Sequence, residues 1–132
     1  MISYDPNNQP GPEYNGPVSG GTFEYTGNPQ TFVVPVGVTE LRVKVWGAGG
    51  AGRTGSYDNF SGGSGGFTTT KLSVTPGEQL SVVVGGGGKH GAANGGDGGW
   101  PNGGYGTSGD ASGGGGGGLT GVFTGDPLNG NG

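Results

Sequence analysis

Residues Glu40 to Gly52 read ELRVKVWGAGGAG. The first seven alternate strictly. Leu41, Val43 and Val45 fall on one face, and Arg42, Lys44 and Trp46 on the other. A two-residue apolar period marks a half-buried β-strand. The next six residues hold glycine at positions 47, 49, 50 and 52 and carry no large side chain. This change from alternating to glycine-rich sequence sets the pattern for the whole chain.

Other segments read the same way. Thr22 to Thr26 (TFEYT) places Phe23 and Tyr25 on one face, and Thr31 to Pro35 (TFVVP) is short, apolar and β-branched. Phe67 to Val74 (FTTTKLSV) and Gln79 to Val84 (QLSVVV) flank Thr75-Pro76-Gly77-Glu78. Proline there is pre-set for the second position of a turn, so a β-hairpin is expected. Leu119 to Thr124 (LTGVFT) is a weaker last strand. No segment combines a 3.6-residue apolar period with a capping residue, so almost no helix is expected. The fold class is all-β: a jelly-roll-like antiparallel β-sandwich with long glycine-rich loops. Its expected core is Phe23, Tyr25, Phe32, Val34, Leu41, Val43, Val45, Phe67, Leu72, Val74, Leu80, Val82 and Val84.

Glycine makes up 39 of the 132 residues, against about 7% in average usage. Residues 47–66 hold nine and residues 85–132 hold 23, whereas residues 67–84 hold one. Collagen needs glycine at every third position only, and the runs Gly85–Gly88 and Gly113–Gly118 break that register. Each glycine costs roughly 0.5–1 kcal/mol more than alanine to order. The loops must therefore stay mobile or be held through their backbones. Without Cβ, glycine chains can run side by side as extended helices of three residues per turn and exchange N–H···O=C bonds.

The composition excludes several function classes. Apolar residues are 27% and charged residues 11%, both well below globular averages. No cysteine is present, which removes disulfides and thiolate metal sites. The net charge of −4 argues against a nucleic-acid surface. No apolar run is long enough to span a bilayer, so no membrane insertion is expected. Met1–Pro17 has neither a basic n-region nor an apolar h-region, so no secretory signal is expected there. Three regions are expected: an extended Pro/Asn/Gly-rich arm over 1–20, a glycine-rich β-sandwich over 21–125, and a glycine-rich tail over 126–132.

Motifs with chemical meaning are few. Gly47-Ala48-Gly49-Gly50-Ala51-Gly52 fits G-x-G-x-x-G after a strand, but no helical pattern follows and no acidic residue stands at the required distance. Gly88-Lys89 lacks both the upstream glycine and the Ser or Thr of a P-loop. Asp58, Asp97 and Asp110 lie in glycine loops, where a shared calcium ion is weighed against simple turn chemistry. His90, the single histidine, reads as a loop residue. No nucleophile, base and orienting group can be assembled, so neither enzyme activity nor a cofactor is expected. The remaining candidates are Tyr57, Phe60, Trp100 and Tyr105, aromatics inside glycine loops, with Arg53 and Lys89 beside them. They serve either to anchor the loops or to contact a ligand or partner.

The stretch GTFEYTGNPQTFVVPVGVTELRVKVWGAGGAG (Gly21 to Gly52), followed by GGSGGFTTTKLSVTPGEQLSVVVGGGGKHG (Gly62 to Gly91), resembles the glycine-rich domain of phage tail proteins and of many bacterial and viral reading frames. The shared pattern is an aromatic strand, then QTF-V-VP-GVT, then VKVWGAGG. The resemblance covers residues 21–125 and is most specific around Val34–Gly50 and Phe67–Gly88. Related glycine-rich regions occur in phage tip adhesins and in the extracellular part of some receptor kinases. The resemblance implies a β-sandwich with polyglycine II packing, used for structure or recognition. The expectation is a structural virion protein, a minor capsid, cementing or tail-fibre component assembled in the host cytoplasm. Its partners would be other virion or fibre proteins, in a homo-oligomer or larger assembly. The alternative is an extracellular adhesin that grips a host surface glycan or protein through its glycine loops.

Overall fold

A computed structural model of the chain describes residues 1–6, 20–54, 59–109, 112–125 and 128. Tyr57, Asp58, Asp110 and most of the arm and tail lie outside the described residues. Among the described residues the chain is all-β, with no helix and nine strands. These are β1 (Ile2–Pro6), β2 (Gly21–Phe23), β3 (Gln30–Val33), β4 (Glu40–Trp46), β5 (Arg53–Thr54), β6 (Asn59–Phe60), β7 (Phe67–Ser73), β8 (Gln79–Val83) and β9 (Gly121–Phe123). They form two antiparallel sheets in the orders β2-β1-β4-β7 and β3-β8-β9, and β5 and β6 form a two-stranded sheet, with a single parallel bridge from Arg53 to Gly91.

The two sheets share one core. Ile2, Leu41 and Val43 from the first sheet meet Leu80 and Val82 from the second, with Val34, Val38 and Val84 from the connections. Tyr4, Phe23 and Phe32 close one side as a ring cluster with centroids 4.6–6.0 Å apart, Tyr4 tilted against both phenylalanines and Phe23 edge-on to Phe32. A void of about 10 Å³ remains between the sheets, lined by apolar side chains only.

Glu40–Trp46 behaves as its alternation requires. Leu41 and Val43 are 2% and 3% exposed, while Arg42 and Lys44 face solvent. The expected core needs two corrections. Tyr25 and Phe67 are 52% and 56% exposed. Strand parity explains Phe67. In the β4–β7 register it pairs with Trp46 and Leu72 pairs with Leu41, so the two lie on opposite faces. Phe67 instead packs against Trp46 on the outer face, with ring centroids 5.0 Å apart.

The expected hairpin of 67–74 with 79–84 is also corrected. The turn itself forms: Glu78 N–H donates to Thr75 O at 3.0 Å, and Gly77 takes φ +83°. A positive φ at the third position after proline makes this a type II turn, which glycine alone adopts without strain. Its flanking strands, however, go to different sheets. Val34 claims the turn from the other side. Its N–H donates to Glu78 O at 2.9 Å, and its carbonyl accepts from Gly77 N–H at 2.8 Å. That fastens β8 to β3, while β7 stays on β4 along seven residue pairs. Thr75–Glu78 is therefore a crossover between sheets.

Ile2–Pro6 was missed by the apolar pattern. It lies between β2 and β4 and pairs with both. Ile2 is 1% exposed.

Candidate functional site

Four strands leave the sandwich directly into glycine. Residues 47–52 continue β4, 61–66 lead into β7, 85–91 follow β8, and 112–119 precede β9. The strand registers carry through without slip. Beyond the Trp46–Phe67 pair, Gly47 N–H donates to Gly66 O (2.7 Å) and Gly50 N–H to Gly63 O (3.0 Å). Beyond the β8–β9 ladder, Gly118 N–H donates to Gly86 O and Gly115 N–H to Lys89 O, both at 2.9 Å. What changes is the period. Bonds between one pair of segments now recur every third residue, so each segment can bond in three directions and join several neighbours at once.

Residues 112–119 are the hub. Gly113 and Gly116 donate to Thr107 and Gly104, and accept from Gly96 and Gly99. Gly115 and Gly118 donate to residues 89 and 86, and Gly115 accepts from Ala51 N–H at 2.8 Å. Residues 85–91 also join 47–52, through Gly88 N–H to Gly49 O (3.1 Å) and Gly91 N–H to Gly52 O (3.4 Å). The glycine segments from both sheets thus fuse into one hydrogen-bonded block. None of the glycines in these segments takes a positive φ.

Steric need follows the same period. A Cβ on Gly114 or Gly117 would overlap the carbonyl of Ala51 or Ala48, and one on Gly115 or Gly118 the carbonyl of Asp97 or Trp100. Glycine is therefore demanded by packing, not by backbone dihedrals. This answers the question of what holds the loops: backbone hydrogen bonds, with side chains excluded from the interior.

The candidate side chains decorate this block without converging. Arg53 and Phe60 are cross-strand partners in β5 and β6, and Phe60 is 60% exposed. Lys89 Nζ lies 3.3 Å from Asp97 Oδ2, with both side chains mostly in solvent. Trp100, which precedes a cis peptide bond to the buried Pro101, packs its ring 6.4 Å from that of Tyr25. Tyr105 is 83% exposed. His90 Nδ1 sits 3.2 Å from Gly52 O. Of the calcium candidates only Asp97 is among the described residues, and no metal-ligand cluster occurs there. The G-x-G-x-x-G stretch runs on extended, with no helix N-terminus to hold a pyrophosphate.

Tyr25 is a residue whose role sequence pattern did not signal. Its ring lies over Gly86, where a Cβ would stand 2.8 Å from Tyr25 Cε2. Tyr25 and Trp100 together cap one end of the block.

A family model described as a glycine-rich domain matches residues 22–132. The chain belongs to that family. The match begins at the second residue of β2, takes in β3 to β9 and the whole glycine block, and leaves β1 outside although β1 completes the first sheet. No curated protein and no solved structure matches this glycine-rich domain.

Proposed function

We propose that the protein is a non-enzymatic structural subunit of a virus particle, a minor capsid, cementing or tail-fibre component, whose glycine segments pack as polyglycine II helices. One observation carries the reading. The most distinctive part of the molecule is a block of backbone joined by bonds at a three-residue period. Side-by-side helices of three residues per turn bond in that way. Such a block supplies rigidity and close-packed surface rather than reactive side chains. The virion setting rests on the resemblance to phage tail glycine-rich domains. The test is mass spectrometry of purified particles from the source, together with particles assembled without this chain. Presence at fixed stoichiometry and loss of particle integrity without it support the proposal. Absence from every particle refutes it.

The exposed rings of Phe60 and Tyr105 favour a second reading, an adhesin that contacts a host glycan or protein. Exchanging residues 47–66 and 85–118 with those of a relative of different host preference tests it. Unchanged binding after the exchange would end it.

A further inference from the structure

The first sheet ends in an open edge. β7 pairs with β4 on one side, and among the described residues no strand pairs with its other side. Every residue from Phe60 to Lys71 is exposed. Trp46 N–H donates to Met1 O, toward β1. Alternation then points the N–H groups of Leu41, Val43 and Val45 at β7 and makes Thr68, Thr70 and Leu72 their bonded partners. Phe67, Thr69, Lys71 and Ser73 therefore present their N–H and C=O groups outward. An unpaired row of this kind is a template for another strand. The usual protections are scarce. The edge has seven residues, holds no proline, and carries one charge, Lys71, which lies 3.8 Å from Glu40 of its own sheet. The edge continues into residues 61–66, whose N–H groups donate to no backbone carbonyl among the described residues. A Cβ on Gly63 or Gly66 would meet nothing within 4 Å, so the fold of one chain gives no steric reason for glycine there.

We propose that β7 pairs antiparallel with β7 of a second copy of this chain, across a two-fold axis at Thr70. The edge is self-complementary in that register. Thr69 faces Lys71 of the second copy, Thr68 faces its Leu72, and the two lysines are not opposed. Two-fold contacts close on themselves, so a dimer forms and not a filament. Residues 61–66 then run on past Ser73 of the second copy, toward its Val74–Gly77, where bare glycine leaves room for close approach. The inference stands on this edge alone and is independent of where the protein acts.

The test uses the full chain, which contains no cysteine. Thr70→Cys places one thiol at the axis, in a non-bonded pair where the two Cα atoms approach to about 4.5 Å, within disulfide reach. Under mild oxidation Thr70→Cys forms a covalent dimer, while Thr26→Cys, an exposed control, does not. Thr69→Lys opposes like charges across the axis and weakens self-association at least tenfold in sedimentation, while the urea midpoint of the monomer falls only slightly, because residue 69 also faces Lys44 of its own β4. A wild-type chain that stays monomeric up to about 1 mM, the weak end of specific association, overturns the proposal and leaves the edge to a different protein. Equal self-association of wild type and Thr69→Lys, or equal cross-linking at Thr70 and Thr26, overturns it as well.

Discussion

Replacing Gly115 by alanine adds one methyl group to the most enclosed part of the glycine block. The residue is buried, donates to Lys89 O at 2.9 Å and accepts from Ala51 N–H at 2.8 Å. The new Cβ would overlap the Asp97 carbonyl and stand 2.9 Å from Gly98 N. Residues 97–98 cannot step aside freely, because Asp97 O accepts from Lys89 N–H at 2.9 Å, and Gly96 and Gly99 on either side are tied to Gly113 and Gly116. Overpacking of this kind costs about 1–3 kcal/mol, and each hydrogen bond lost adds about 1 kcal/mol. Restricting the unfolded chain returns about 0.4–1 kcal/mol. The net expectation is a loss of roughly 2–4 kcal/mol, a large part of the stability of an ordinary domain. Urea unfolding followed by the fluorescence of Trp46 and Trp100 reads it. With a slope of about 1–3 kcal/mol per molar urea, the midpoint falls by roughly 1–2 M. Gly63→Ala is the matched control. Its methyl group meets open space, so the unfolded-state effect acts alone and stability rises by about 0.4–1 kcal/mol. Equal midpoints for the two variants would refute the claim that close backbone packing demands the interior glycines.

Three further outcomes follow from the same geometry. Ile2→Ala empties a site that is 1% exposed in the shared core and should cost about 2–5 kcal/mol in urea unfolding, even though Ile2 lies outside the family match. Asp97→Ala removes a solvent-exposed ion pair but keeps the backbone carbonyl that accepts from Lys89, so calorimetry should show a change below about 1 kcal/mol. Tyr25→Ala uncovers Gly86 and removes the ring beside Trp100. Tryptophan emission should shift toward that of a solvated indole, with a stability loss of about 1 kcal/mol, in the range of one aromatic contact.

The strands of the sandwich were legible where the period was long. Glu40–Trp46 has enough alternation to fix both its state and its buried face. Ile2–Pro6 offers only Ile2 and Tyr4 as inward residues, ends in proline and borders a polar stretch, so no periodic signal rises above its surroundings. Its place is set by two neighbours that are distant in sequence. Phe67 opens a strand whose inward positions are Thr68, Thr70 and Leu72, and a lone aromatic at a strand end does not reveal its parity. The turn at Thr75–Glu78 was readable from Pro76 and Gly77, but the partners of the strands beside it depend on Val34. In the glycine segments composition pointed to backbone packing. Which segment bonds to which could not be read, because glycine rows carry no side chains to distinguish one neighbour from another. Of the candidate aromatics, Phe60 and Tyr105 are exposed and Trp100 packs beside Tyr25, and nothing in their spacing brings them together.

Hydrogen exchange of the glycine amides, in a chain dilute enough to be monomeric, tests the central claim most directly. The amides of Gly99, Gly115, Gly116 and Gly118 each donate to a carbonyl across the block. They should be protected to nearly the full unfolding free energy, like the strands of the core. The amides of residues 61–66 donate to no backbone carbonyl among the described residues, and should exchange close to the rate of an unstructured chain. Near-coil exchange at Gly115 and Gly118 would mean that the glycine segments are loose loops, and would contradict the hydrogen-bonded block.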